Sequence, residues 1–172
     1  MKRAILSLLA VAAVFAAMVG GVTTTARANP FLDDITTYRH LTWKWQRLMG
    51  VRLTPNRKVE LRAGPEYRTW IRNLWYKRAH TAWRHAQNPP HEAAWECIHR
   101  YEGAWSDSGA PYYGGLQMDM SFQQAYGADL LRRKGTADHW TPIEQMWVAE
   151  RAYRSGRGFY PWPNTARYCG LL

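Results

Sequence analysis

Apolar residues recur at three- and four-residue steps in several stretches of this chain, which is the spacing of one face of an α-helix. The clearest stretch carries an apolar residue at each of these steps: Ala94, Cys97, Ile98, Tyr101 and Trp105. Asn88 and Pro89 are typical of an N-cap and a first helical position, and Gly103 is typical of a helix stop. The pattern therefore predicts a helix from Pro89 to Glu102.

The same periodicity predicts further helices over residues 38–49, 65–87, 121–126, 128–134 and 142–155. Thr141 with Glu144 three residues on, and Ser121 with Gln124, fit the capping box, in which two side chains bond reciprocally to backbone N–H groups. Gly127 is predicted to separate two of these helices. We expect a mostly helical chain.

The first 28 residues have the pattern of a secretory signal peptide. A positive start is followed by an apolar run, Ala4–Met18, which is short for a membrane span. Ala26-Arg27-Ala28 then fits a cleavage site. Cleavage would leave 144 of the 172 residues, enough for one modest domain. We expect a secreted protein, extracellular or associated with the cell wall; a retained N-terminal anchor is the alternative.

The expected export affects how the two cysteines, Cys97 and Cys169, are interpreted. In an oxidising compartment an isolated pair usually forms one disulfide. A bond that closes so long a loop contributes about 4 kcal/mol in the loop-entropy account. The histidines do not cluster with the cysteines at ligand spacing, so we expect neither a metal nor a cofactor.

Charge divides the mature chain near Pro89–Pro90. Residues 29–90 carry twelve Lys and Arg against four Asp and Glu, a net +8, whereas residues 91–172 have a net charge of −1. The basic part is rich in tryptophan and is predicted to be helical, with a polar loop over residues 51–64. It could hold anionic wall polymers or a membrane surface. Alternatively, its tryptophans pack on the rest of the protein and its arginines are solvated. Export argues against nucleic acid as a partner.

Glu102 is the candidate catalytic residue, because it closes the clearest helix. The negative end of the helix dipole and the nearby apolar side chains of Trp95, Ile98 and Trp105 both favour a protonated carboxyl group. A carboxylic acid held in that form can act as a general acid. The alternative is a surface glutamate at a frayed helix end.

The residues that follow Glu102 resemble the resuscitation-promoting factors, a compact branch of the lysozyme-like, lytic-transglycosylase superfamily. The shared features occur in the family's order: Glu102, Trp105, the run Tyr112-Tyr113-Gly114-Gly115-Leu116-Gln117, Ala149-Glu150, the Gly156–Pro163 segment and Cys169. The resemblance covers about residues 91–172. Two features depart from the pattern. Cys97 lies five positions before Glu102 rather than next to it, and the loop after Glu102 is shorter.

The resemblance implies an α+β fold that is mostly helical: a small lysozyme-like domain over residues 91–172, with a short β-hairpin beside the cleft. The basic helical extension, residues 29–90, precedes it. The implied activity is cleavage of MurNAc–GlcNAc bonds in peptidoglycan glycan strands by a monomer with one catalytic carboxyl group, Glu102. Residues proposed to bind substrate are Trp105, Tyr112, Tyr113, Gly114, Gly115, Gln117 and Trp162. We expect Trp162 to lie in a surface loop, and the glycine pair to let a sugar approach the backbone.

Several alternatives stay open. Asp119 could be the second carboxylate of a true hydrolase, which usually needs two, or it could cap the following helix. Glu150 is either a buried structural carboxylate paired with an arginine or a group that supports the site. Each aromatic residue could equally belong to the core. A wall-binding module without catalysis is the alternative from another class of protein.

Overall fold

The computed structural model describes residues 30–62 and 64–172. The predicted signal peptide lies outside these residues. The α-helices are α1 Pro30–Met49, α2 Pro65–Ala86, α3 Glu92–Glu102, α4 Met120–Lys134, α5 Pro142–Ala152 and α6 Pro163–Tyr168. The strands are β1 Tyr112–Tyr113 and β2 Met118–Asp119, with short 3₁₀ turns at Lys58–Arg62 and Ala137–His139 and a π-helical turn at Tyr153–Arg157. The expectation of a mostly helical α+β fold with a small hairpin is confirmed.

The first two helices run parallel. Asp34 pairs with Arg72 at 2.8 Å, and the ring of Tyr38 packs on that of Tyr76 four residues further along both helices. Two parallel helices need a connection that travels back along them. Residues 50–64 make that connection, so the predicted loop is a return segment that contains one 3₁₀ turn.

The return segment is fastened to both helices. The indole N–H of Trp43 donates to the Thr54 carbonyl at 2.8 Å, and the Gln46 amide bonds to Thr54 through both of its ends. Further along, the Trp75 indole donates to Glu60 at 2.7 Å. The helix α1 itself begins at Pro30, eight residues before the predicted start, and Asp34 in this added part pairs with Arg72 of α2.

The change in net charge at Pro89–Pro90 does not coincide with a boundary between two apolar cores. We call α1 and α2 the helix pair and residues 91–172 the compact part. Four buried residues of the helix pair belong to the same apolar core as Trp95 of the compact part: Leu48, Met49, Ala82 and Ala86. The Trp147 indole donates to the Ala86 carbonyl at 2.7 Å. Arg151 donates to the carbonyls of Arg47 and Leu48 at 2.8 and 2.7 Å, which satisfies groups that the end of α1 leaves unpaired.

Most tryptophans of the basic part do not pack on the compact part, which corrects one of the two interpretations given above. Trp70 is 64% exposed and Trp83 is 44% exposed. Trp75 is buried, but in a separate small core with Ile35 and Ile71. Trp45 alone among the tryptophans of α1 and α2 packs partly against the main core.

The helix α3 begins at Glu92 rather than at Pro89. Its N-cap is His91, whose backbone N–H donates to a side chain of α5, Glu150, at 2.9 Å. The Asn88 side chain turns back to the Arg84 carbonyl instead. At the other end the prediction is confirmed, because Gly103 is the C-cap residue.

Capping was predicted correctly for one of the two later helices. Thr141 and Glu144 form the full capping box of α5. The N-cap of α4 is Asp119 rather than Ser121, so the helix-capping interpretation of Asp119 is confirmed. Gly127 has non-helical φ and ψ angles of −125° and 17°, so it separates two helical segments across a kink within α4, as predicted. The helix α6 was not predicted, and α5 ends at Ala152, three residues early.

The predicted disulfide is present between Cys97 and Cys169. Cys97 lies in α3, and Cys169 is the C-cap residue of α6. The bond therefore ties together the two helices that carry Glu102 and Thr165. Across the described parts of the chain, no helix is both long enough and apolar enough to cross a bilayer.

Candidate active site

Glu102 lies at the edge of an open cavity. It is the last residue of α3, and its carboxyl group is half-buried. The hydroxyl of Thr165, on α6, donates to Glu102 Oε1 at 2.7 Å. The cavity is about 230 Å³ in volume, and its walls are Glu102, Tyr112, Gln117 and residues 161–164. One carboxyl oxygen is thus held by the protein at a place where a ligand can enter.

The apolar neighbours of Glu102 are not those predicted. Trp95 and Ile98 are fully buried in the core, and the Trp105 ring stacks on the imidazole of His99 with centroids 4.0 Å apart. None of these three predicted neighbours lines the Glu102 cavity, whose apolar wall is Trp162 with the flanking prolines. The apolar surface beside the carboxyl group comes from the chain end, far away in sequence.

A second cavity of about 140 Å³ adjoins the first and contains Asp119. The two cavities share four lining residues, and so they form one groove: Tyr112, Gln117, Pro161 and Trp162. Asp119 Oδ1 accepts 2.7 Å hydrogen bonds from the Phe122 N–H and the Ser121 hydroxyl. The Phe122 bond first, and then the Ser121 bond, hold the pKa of Asp119 below its ordinary value. The groove therefore has Glu102 in one compartment and an ionised carboxylate in the next.

Gln117 lies between the two compartments. It adopts a positive φ of 47°, which places its side chain across the loop that follows Glu102. The Nε2 group donates to Asp107 Oδ2 at 2.9 Å and to the Gly114 carbonyl at 3.0 Å. Gln117 thus braces the loop and also lines the groove.

The glycine pair serves internal packing, which corrects the predicted reason for it. Gly114 and Gly115 are buried. A Cβ at Gly114 would lie 2.4 Å from Gln145 Oε1, and one at Gly115 would lie 2.6 Å from His99 Nδ1 and 2.7 Å from a Trp105 ring carbon. The space beside both glycines is therefore filled by protein side chains rather than open to a sugar.

Gln145 is a residue that sequence reasoning missed. It is fully buried, and its Oε1 accepts the Gly115 N–H at 2.8 Å. Its Nε2 group donates to three backbone carbonyls: those of Trp105, Ala137 and Trp140. A buried glutamine with all of these partners fixes the hairpin loop to α5. Its only sequence signal is a polar residue next to Met146 on a helix with an apolar face.

The predicted sugar-stacking aromatics differ in exposure. Trp162 is 5% exposed and donates its indole N–H to the Leu116 carbonyl, so the expectation of a surface loop was wrong. Part of its surface nevertheless forms the groove wall. Tyr113 packs against the core, and Trp105 is half-buried. Tyr112 is 50% exposed and lines both compartments, which makes it the most accessible aromatic ring of the groove.

Glu150 is a buried structural carboxylate, as one of the two interpretations held. Its partner is a histidine rather than the expected arginine. Glu150 accepts from the His91 backbone N–H and the Trp95 indole at 2.9 and 2.8 Å, and its Oε1 lies 2.9 Å from His91 Nδ1. It lines neither compartment of the groove.

The sequence and the structure match none of the known protein families, curated proteins or solved structures with which they were compared. Over residues 30–62 and 64–172, no group of three His, Cys, Asp or Glu side chains is placed to hold a metal ion. The case for a function therefore rests on the groove itself and on the motifs that line it.

Proposed function

We propose that this protein is a secreted peptidoglycan-cleaving enzyme, a lytic transglycosylase that cuts MurNAc–GlcNAc bonds with Glu102 as its single catalytic acid and base. The observation that carries the proposal is the half-buried Glu102 carboxyl group in an open groove, with one oxygen held by Thr165. The resemblance of the Glu102 and Tyr112–Gln117 motifs to the resuscitation-promoting factors supplies the substrate class.

The hydrogen bond from Thr165 suggests which oxygen does the chemistry. The one proton of the Thr165 hydroxyl has a nearer acceptor in Glu102 Oε1, at 2.7 Å, than in the Trp162 carbonyl, at 3.3 Å. We therefore assign Oε1 as the acceptor and the proton of the neutral acid to Oε2. Oε2–H protonates the glycosidic oxygen as the bond to C1 of MurNAc breaks. The resulting carboxylate then accepts the proton of the MurNAc C6 hydroxyl, whose oxygen bonds to C1. The products are a 1,6-anhydro sugar and a free hydroxyl on GlcNAc, and no water is consumed.

A hydrolase is the second candidate, and the position of Asp119 favours it. Asp119 lies in the adjoining compartment of the same groove, with its pKa lowered by hydrogen bonds. An ionised carboxylate near the acid could direct a water molecule or stabilise a cationic sugar. The α4 cap and the Ser121 hydroxyl both bond to Oδ1, so in a hydrolase Oδ2 would be the oxygen that meets the water or the sugar.

The test is mass spectrometry of the fragments released from purified peptidoglycan by the mature protein. We expect products that end in 1,6-anhydro-MurNAc. Glu102→Gln should lower their rate of formation by about 10²- to 10⁴-fold, the usual contribution of a general acid. The matched control is Glu96→Gln, on the same helix but outside the groove, which should leave the rate unchanged.

The product ends separate the candidates. Reducing MurNAc ends formed with water would replace the transglycosylase by a hydrolase and make Asp119 the next residue to substitute. No products from a folded, disulfide-bonded protein would contradict both enzymes and favour a wall-binding module.

A further inference from the structure

A long groove runs along the helix pair. None of the residues that line it also lines the Glu102 cleft. It consists of two adjoining cavities of about 350 and 600 Å³. They share Met49, Val51 and His85. The first cavity lies between α1, α2 and the return segment. The second continues past the end of α2 to Trp147 and Arg154 of the compact part.

The charged side chains that line this groove are all basic. They are Lys77, Arg78, Arg84 and Arg154; the imidazole of His85 lies among them, and no Asp or Glu lines either cavity. Lys77 and Arg84 lie seven residues, about two helical turns, apart on α2, and Asn88 follows just beyond the end of the helix. From Leu74 to His85 the floor extends for roughly 17 Å at the helical rise per residue. The groove is therefore a strip of positive charge rather than a single anion site.

Two of these cations are available to a ligand. Lys77 and Arg84 are exposed, and within the described residues neither side chain makes an ion pair or a hydrogen bond. Arg154 is fixed at the far end of the groove, since its guanidinium donates to the carbonyls of Met49 and Glu150. A ligand would meet two exposed charges along α2, unpaired among the described residues, and a hydrogen-bonded one beyond it.

We propose that this groove binds a linear polyanion made of phosphodiester-linked units, an anionic polymer of the cell wall. The elongated shape, with cations spaced along the floor, fits a chain that carries a repeated negative charge. A flat bilayer would not reach the recessed Met49 and Ala82, which are only 6% exposed. The wall as the source of the chain, and with it the phosphodiester linkage, rests on the proposed function, whereas a linear chain of repeated negative charge follows from the groove alone.

The groove and the catalytic cleft have no lining residue in common. Binding of the polymer therefore leaves Glu102 free. The role of the basic part is to hold the enzyme on the wall while the cleft cuts glycan.

The experiment measures binding of the mature protein to soluble poly(glycerol phosphate), at about 50 mM salt, where phosphate contacts contribute strongly. The test variant is the double substitution Lys77→Glu and Arg84→Glu. The matched control is Arg57→Glu with Arg132→Glu, which changes the net charge equally at exposed arginines outside the groove. We expect the groove variant to bind at least about tenfold more weakly than the control, with a shallower dependence on salt.

Two further measurements keep the outcomes separate. Cleavage of glycan stripped of anionic polymers should be equal in the groove variant and the wild type, whether or not Glu102 proves catalytic. Vesicles with anionic lipid should bind less tightly than the soluble polymer. Equal losses in both double variants would overturn the proposal, because net charge alone would then explain binding. Binding to vesicles but not to the polymer would overturn it in favour of a membrane.

Discussion

Tryptophan plays opposite roles in the two regions of this molecule. In the compact part, four indoles are buried, and each N–H has an internal acceptor: Trp95 with Glu150, Trp140 with the Gly135 carbonyl, Trp147 with the Ala86 carbonyl and Trp162 with the Leu116 carbonyl. In the helix pair, Trp70 and Trp83 project from α2 into solvent. Tryptophan thus builds the core of the compact part, whereas on α2 it is buried only at Trp75 and forms a surface at Trp70 and Trp83.

The difference shows what determines whether a tryptophan side chain is buried or exposed. A buried indole needs a partner for its N–H as well as apolar neighbours. The compact part offers carbonyls and one carboxylate at the right places, whereas the exposed face of α2 offers arginines and water. Aromatic content alone therefore indicates neither a core nor a binding surface.

Removal of the one carboxylate among these acceptors should have the largest effect on stability. Glu150→Ala leaves both the Trp95 indole and the His91 backbone N–H without their buried partner. We expect a loss of about 3 kcal/mol or more in the free energy of unfolding, measured by denaturant titration. Glu150→Gln, which keeps an acceptor oxygen, should lose less. Equal losses in both variants would mean that the acceptor is not what keeps Trp95 inside.

A matched pair of tryptophan substitutions sharpens the comparison. Trp147→Phe removes a buried N–H and leaves the Ala86 carbonyl unpaired, so we expect a loss of about 1–2 kcal/mol in stability. Trp83→Phe, on the exposed face of α2, should change the free energy of unfolding by no more than about 0.5 kcal/mol. If the two variants were equally destabilised, the distinction between the regions would fail.

Among the variants that remove a hydrogen bond, the smallest effect is expected for Asp119, and it depends on pH. Its folded pKa is depressed, so its stabilising contribution is complete above the unfolded value of about 3.9 and is lost as the pH falls through the folded value. Asp119→Ala should lower stability by about 1 kcal/mol at neutral pH through loss of the α4 cap. The difference from the wild type should shrink below about pH 4. Unfolding titrations across that range would check this, and a constant difference would contradict it.

Features encoded by neighbouring residues could be predicted from the sequence. The capping box of α5 needs only Thr141 and Glu144, three positions apart, and the end of α3 needs only Gly103. The disulfide followed from there being two cysteines in a chain expected to be exported. Each of these signals depends on local chemistry or on simple counting, so no knowledge of the fold was needed.

Features that depend on distant partners could not be predicted. Thr165 meets Glu102 only because α6 returns to α3 across 63 positions of sequence. The start of α3 is set by Glu150, 59 residues after His91. The spacing of apolar residues in α1 and α2 likewise does not reveal that the two helices are parallel, because antiparallel helices would show the same spacing. In the candidate site, the motif identified the carboxyl group, and the tertiary fold supplied its surroundings.

The hydrogen bonds from Arg151 to the end of α1 bear on how recombination could separate the two parts of this protein. Its guanidinium closes a helix that belongs to the other side of the charge boundary, and the Trp147 indole does the same for α2. A gene fragment that encoded residues 91–172 alone would carry donors whose acceptors had been left behind. Recombination at the Pro89–Pro90 junction would therefore be penalised, and the two parts would pass between lineages as one unit despite their different charge.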